Sequence, residues 1–514
     1  MPRADSHHAV EREHDVVVIG GGAAGAIVAA RVSEDPSVSV CLVEAGPSDR
    51  DEPRALDLRR WFEMLEGEYD FDYHSVPQAS GNSHIRHARA RILGGCTSHN
   101  TMISFKPLAH DLAEWVGLGA EGWDADAFLP FFDRLETPAQ PVLPEHRNPY
   151  LADVVESAHR ALGVPIVEDF NAAPFVDGAG FFSLGYDPKT GVRSSSSVCY
   201  LHPVMGQRAN LEVLLETRVL RIVFDEECRA RAVEVRRADG THETIAARRE
   251  IVTSAGAIET PHLLLLSGVG PADELRTLGI DVVCDLPGVG ENLIDHPEGL
   301  VVWEATRAPG EPRVCDWDAG ILMRVDRSRK TPDLMFHIPL MTYAVHAERL
   351  GYEIPEQSIS MTPNVAKPRS RGRLWLASAD PDEPPAIDFG YLTDRDGYDE
   401  SMLLAGLHAA RQIAMQEPMA RWVGREVFPG PDVSEDDLPA LVRATHHTVY
   451  HGCGTCRMGA DDDPLAVLDP QLRVRGVRGL RVADASAFPT LTTINPMVTI
   501  FMLGERAAEL VHQA

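Results

Sequence analysis

The segment that most restricts this chain lies near its start. Residues 15–19, Asp-Val-Val-Val-Ile, form a short unbroken apolar run, the pattern of a parallel strand buried on both faces. Gly20, Gly22 and Gly25 follow at once in a G-x-G-x-x-G spacing, and residues 25–33 then read as a helix. A second apolar run, residues 38–43, ends at Glu44, nineteen residues after Gly25. The whole reads as one βαβ unit. Each glycine has its own physical role. Gly20 permits the tight turn, Gly22 lets backbone approach a pyrophosphate, and Gly25 lets the helix pack closely on the strand. The helix N-terminus then offers free N–H groups to phosphate, and Glu44 can accept from ribose hydroxyls. A glycine-rich turn that binds nothing would leave Glu44 without a reason, so a bound dinucleotide is expected. The fingerprint alone leaves NAD and FAD both open.

Composition narrows the choice from another side. A length of 514 residues allows two or three domains or one large α/β enzyme. With 44% hydrophobic and 24% charged residues, the chain is not of the disordered class. A net charge of −29 argues against nucleic acid or an anionic membrane as partner. It leaves two readings: a field that draws in a cationic ligand, or a general solubility and habitat adaptation. The bias of 44 Arg against 4 Lys runs through the whole chain and leans toward the second. No run approaches the about 18 apolar residues of a membrane span, and residues 1–13 lack the apolar core of a signal peptide. The expectation is a soluble, cytoplasmic protein. Eight cysteines in a chain this long make no disulfide framework. Cys453 and Cys456 have redox-pair spacing, but without a thioredoxin-like context or the second pair of a zinc site, so no metal is expected.

Further along, residues 211–224 and 232–245 alternate like strands of an antiparallel meander, with Asp239-Gly240 as a hairpin turn. Residues 250–256 return as an apolar strand ending in Gly256, followed by a helix over 260–266. Between about 300 and 444 the texture changes, and residues 334–340, 358–365 and 373–377 read as strands of a separate sheet. From Leu480 the strand-then-helix texture returns.

Five further stretches carry a family likeness: residues 90–100 (Ala-Arg-Ile-Leu-Gly-Gly-Cys-Thr-Ser-His-Asn), 254–270, 290–297 (Gly-Glu-Asn-Leu-Ile-Asp-His-Pro), 451–458 (His-Gly-Cys-Gly-Thr-Cys-Arg-Met), and 482–496. In type and order they resemble the signature blocks of the glucose–methanol–choline (GMC) oxidoreductases, over nearly the whole chain. The resemblance implies an α/β fold, a Rossmann-like FAD-binding domain with an inserted α+β antiparallel-sheet substrate domain. The expected division gives residues 1–160, 206–300 and 445–514 to the FAD-binding part and 161–205 and 301–444 to the substrate part. It also puts Cys453 and Cys456 in a structural turn.

Within the family the sequence is most similar to the choline-oxidising members, which implies specific roles. His99 matches a histidine joined covalently to the flavin. Gly20, Gly22, Gly25, Glu44, Gly95, Asn100, Thr101, Asp484, Asn495 and Pro496 complete the expected FAD site. His451 and Asn495 match the catalytic pair: an imidazole can take the alcohol proton as hydride leaves carbon, whereas an amide can only orient the oxygen. His337 matches a further active-site histidine. Pro496 suits the first turn of a helix whose positive end would face the reduced flavin. Trimethylammonium cannot donate hydrogen bonds, so its recognition needs aromatic faces and a carboxylate. Trp61, Trp317 and Tyr450 match the aromatic positions. Glu304 is the expected carboxylate, with Asp316 and Asp318 as alternatives.

The implied reaction is oxidation of a primary alcohol, choline or a choline-like cation, to the aldehyde and on to the acid, with O2 reduced to H2O2. The implied partners are the small-molecule alcohol and O2, with a homodimer as the candidate assembly. Thr101, Lys106, Met497 and residues 487–494 depart from the family pattern close to flavin or substrate. An oxidase or dehydrogenase of uncharged primary alcohols is therefore the alternative. An NAD-dependent dehydrogenase fits only the first fifty residues.

Overall fold

The structure, a computed structural model, describes residues 10–513; the polar stretch 1–9 lies outside the described residues. Residues 16–18 are fully buried valines, each of which stabilises the fold by about 1.5–3 kcal/mol on leaving water. They belong to the strand Val10–Ile19, which runs parallel to Val40–Val43 on one side and to His242–Thr253 on the other. Among the described residues the sheet has seven strands, and Leu480–Val482 joins it beside the end of His242–Thr253. The helix Gly25–Val32 packs against the helix Met497–His512. A Cβ on Gly25 would stand 1.9 Å from the carbonyl oxygen of Gly20, so only glycine lets this turn close.

The expected strand 211–224 is two. Glu216 adopts a left-handed φ of 49°, which breaks the extended run. Leu211–Leu214 lies parallel to Val40–Val43, while Thr217–Phe224 opens the meander with Ala230–Arg237. Residues 250–253 are likewise not a separate strand but the end of His242–Thr253.

The second sheet has nine strands among the described residues and is mostly antiparallel. Its centre is formed by Val301–Ala305, Ser358–Val365, Leu334–Ile338 and Ala319–Met323. Arg373–Trp375 is not part of it. That strand pairs with Ala386–Asp388, because residues 372 and 374 bond to the backbone of Leu293 and Gly290 instead. Pro297–Glu298 and His447–Thr448, which fall outside the expected limits 301–444, do belong to this sheet. They bring its edge to the boundary with the first. No described helix is long and apolar enough to cross a membrane.

Candidate active site

Two adjoining cavities lie between the sheets. The first holds about 1250 Å³ of empty space and is bordered by Gly20, Gly22, Glu44, Gly95 and Asp484. Glu44 accepts the Gly21 and Gly46 N–H groups, one on each oxygen, both at 2.7 Å. Burial pushes its carboxyl above the usual range, against the pull of those donors. Asp484 accepts from the Ser486 N–H and hydroxyl on one oxygen and from the Gly256 N–H and Thr260 hydroxyl on the other. A Cβ on Gly22 would find no atom nearer than 3.9 Å, so the protein leaves its cavity side open. Gly25 does not border the cavity; its place is in the packing of the turn.

The second cavity holds about 1130 Å³ and shares Arg89, Cys96, Tyr450, His451 and Pro496 with the first. His99, Asn100, Thr101, Met497 and Asn495 border it as well. One nitrogen of His296, Nε2, lies 3.1 Å from the carbonyl oxygens of both Ala366 and Thr492. Carbonyls only accept, so Nε2 carries the proton and Nδ1 is a lone pair. That lone pair lies 2.8 Å from His451 Nδ1, which must therefore be the donor. His451 Nε2 is left as an acceptor, 3.3 Å from the Asn495 amide. Burial pushes His296 down to about 3 and His451 well below the usual histidine range, so both rings are neutral. Buried Asp295 holds the segment in register: it accepts the His451 N–H at 2.8 Å, the Tyr391 hydroxyl at 2.6 Å and the Thr448 hydroxyl.

Opposite stands an aromatic wall. Trp61 and Trp317 meet edge to face at 6.3 Å between centroids, and Trp317 meets His337 at 5.7 Å. Tyr450 borders the same space, as does Glu298, whose buried Oε2 has no hydrogen-bond partner and faces His337 Nδ1 at 3.8 Å. Burial pushes the Glu298 carboxyl up, and His337 pulls it back. His337 Nδ1 lies 3.2 Å from the Asn364 amide and 3.8 Å from Glu298 Oε2, and its Nε2 is buried without a protein partner.

Glu304 is not here. It lies on Val301–Ala305, opposite Ser358 and next to the outer strand Val423–Phe428, 40% exposed, and its carboxylate bonds Arg425 at 2.7 Å. The sheet register carries it away from the cavity. The alternatives fail too: Asp316 accepts the Trp61 indole N–H at 3.1 Å, and Asp318 accepts the Cys315 N–H at 3.0 Å, and neither borders the cavity. The carboxylate that does is Glu298, the second residue after His296 and one position beyond the family stretch 290–297. Sequence reasoning also missed Arg89, whose cation borders both cavities, and His296 as the partner of His451. Cys453 and Cys456 are buried free thiols whose backbone N–H groups bond Ile294 and Ser486, outside both cavities.

Family models described as GMC oxidoreductase match residues 14–298 and 368–504. The chain belongs to the GMC oxidoreductase family. It is 45% identical to choline oxidase from Arthrobacter globiformis over 98% of this chain and 95% of that protein. It is 32% identical to the mitochondrial choline dehydrogenase of Homo sapiens, over 97% of this chain and 90% of that protein. Pyridoxine 4-oxidase from Mesorbium loti shares the fold with a TM-score of 0.91 at 28% identity, over 98% of this chain and 99% of that one. GMC oxidoreductases are FAD flavoproteins, and the first cavity of this GMC oxidoreductase fits the group. The open side of Gly22 suits a pyrophosphate, and His99 Nδ1 is buried without a partner where the cavities meet the substrate side. Pro496 caps the helix Met497–His512 at their junction, so the positive end of a 16-residue helix faces that point.

Proposed function

We propose that this GMC oxidoreductase is an alcohol oxidase for choline or a choline-like cation. The observation that carries the reading is Glu298, a buried carboxylate whose Oε2 has no hydrogen-bond partner and faces His337 at 3.8 Å, beside Trp61, Trp317 and Tyr450, in the cavity that also holds His451 and Asn495. A trimethylammonium head would take the aromatic faces and the carboxylate, while the hydroxyl end meets the polar pair. His451 Nε2 accepts the hydroxyl proton, and the imidazolium keeps its Nδ1–H bond to His296. The Asn495 amide orients the same oxygen, and His337 Nε2 is a further partner for it. Gly20, Gly22, Glu44, Gly95, Asn100, Thr101, Asp484 and Pro496 would hold FAD, with His99 as its covalent anchor, and the bound group would supply the hydride acceptor and the route for electrons to O2, giving H2O2. The aldehyde, once hydrated, is a second substrate for the same groups and gives the acid. With eight free cysteines among the described residues, we infer a cytoplasmic enzyme.

The test compares choline with its trimethyl-carbon isostere by H2O2 release and kcat/KM. Glu298→Gln should lower kcat/KM for choline by about tenfold or more and leave the isostere nearly unchanged. Equal activity of the wild-type enzyme on both, or equal losses in the variant, would favour an oxidase of uncharged alcohols instead.

A further inference from the structure

Tyr450 is held under constraint. Its backbone φ of 62° lies in the left-handed region, where a non-glycine residue is strained and persists only if its surroundings fix it. The backbone N–H donates to the Thr448 hydroxyl at 2.7 Å. Its own hydroxyl lies 3.0 Å from His447 Nε2. His447 Nδ1 in turn lies 3.0 Å from Nε2 of His346, on the short helix Val345–Arg349. The three side chains form one hydrogen-bonded row that starts at the substrate cavity and ends at a small second cavity bordered by both histidines.

Each neutral imidazole has one donor and one acceptor, so the row is fully satisfied with either direction of donation. Burial pushes His346 down to about 3 and His447 well below the usual range, so neither ring carries the charge that would break it. The His447 ring also packs on Tyr450 at 5.4 Å, almost perpendicular, and on Tyr343 at 5.1 Å. The Tyr343 hydroxyl is a second partner of the Tyr450 hydroxyl, so without His447 the buried phenol would keep that bond alone and the ring would shift toward Tyr343. None of these atoms takes part in the proton chemistry at His451.

We propose that His447, backed by His346, is a positioning residue that fixes the Tyr450 ring against the cationic end of the substrate and so sets the preference for cationic over uncharged alcohols. The proposal rests on the cation-binding reading of the cavity. His447 stands opposite Glu298 in the strand register, so its removal could disturb the carboxylate as well. Tyr450→Phe cuts the same hydrogen bond, together with the one to Tyr343, without touching that strand, and is the second variant for this reason.

The experiment is steady-state kinetics of the flavin-loaded enzyme on choline and its trimethyl-carbon isostere. His447→Leu and Tyr450→Phe should each reduce the choline-to-isostere ratio of kcat/KM by about tenfold, through KM rather than kcat. The double variant should lose no more than Tyr450→Phe alone, because that variant already removes the bond to His447. His447→Gln, whose amide reaches the position of Nε2 and can bond the Tyr450 hydroxyl, should recover most of the ratio. An unchanged ratio in Tyr450→Phe, or additive losses in the double variant, overturns the positioning role while the cation pocket stands. A wild-type enzyme that treats the two alcohols alike overturns the cation pocket, and this proposal with it.

Discussion

Two backbone carbonyls, those of Ala366 and Thr492, decide which nitrogen of His451 is free to take a proton, because they fix the tautomer of His296 between them. His451→Ala should slow anaerobic flavin reduction by about 10²–10⁴-fold, the usual worth of a general base. His296→Leu should slow it less, with KM unchanged, since the base remains and only its tautomer is released. Near-normal reduction in His451→Ala would remove it from the role. For His99, wild-type protein denatured in acid should stay yellow after washing, while His99→Asn should release its flavin to the supernatant. A colourless wild-type pellet would exclude the covalent bond. That His451, Asn495, His337, Trp61, Trp317 and Tyr450 would border one cavity was legible through the family resemblance, which carries positions over nearly the whole chain. Glu298 was not, since whether a strand glutamate faces the cavity or bonds an arginine outside, as Glu304 does, depends on register across the sheet.

Among the elements, the pair His447–Thr448 and Pro297–Glu298 and the helix Val345–Arg349 are joined through buried neutral histidines. Burial holds His346 near 3 and His446 near 4 in the folded protein, against 6.5 for a free imidazole, and lowers His447 strongly. Below pH 6.5 the unfolded chain takes up protons that the folded one refuses, so stability is full above that pH and falls as the pH drops toward 4. Each such group adds on the order of 1.4 kcal/mol per pH unit to the slope. Melting temperature should be flat from pH 7 to 8 and drop steeply below 6.5, less steeply in His346→Gln; parallel curves for the two proteins would exclude His346 as a contributor. The βαβ unit was readable because glycine spacing and burial on both faces act over short distances. The break at Glu216 was not, because its left-handed turn is fixed by the N–H bond to Gly46, far away in sequence.

At the scale of the molecule, the charge of −29 surrounds a cavity in which the proposed selectivity rests on one carboxylate and three rings. A field of that size acts on encounter over the screening length, about 30 Å at 0.01 M salt but about 10 Å at 0.1 M. Raising ionic strength should therefore lower kcat/KM for choline and leave its neutral isostere flat; identical profiles would reduce the charge to solubility alone. The alternation of first-sheet and second-sheet strands follows the change of texture along the chain, but the boundary strands 297–298 and 447–448 were too short to carry a pattern of their own. Those strands explain how the halves communicate. Asp295, His296 and Glu298 stand within four positions, so the backbone stretch that steadies the proposed proton acceptor also delivers the carboxylate proposed to select the substrate. Chemistry and recognition are thus not modular in this enzyme. New specificities are open to it through side-chain exchange at the aromatic wall and at Glu298, whereas any change in the length of this stretch would forfeit both properties in one step.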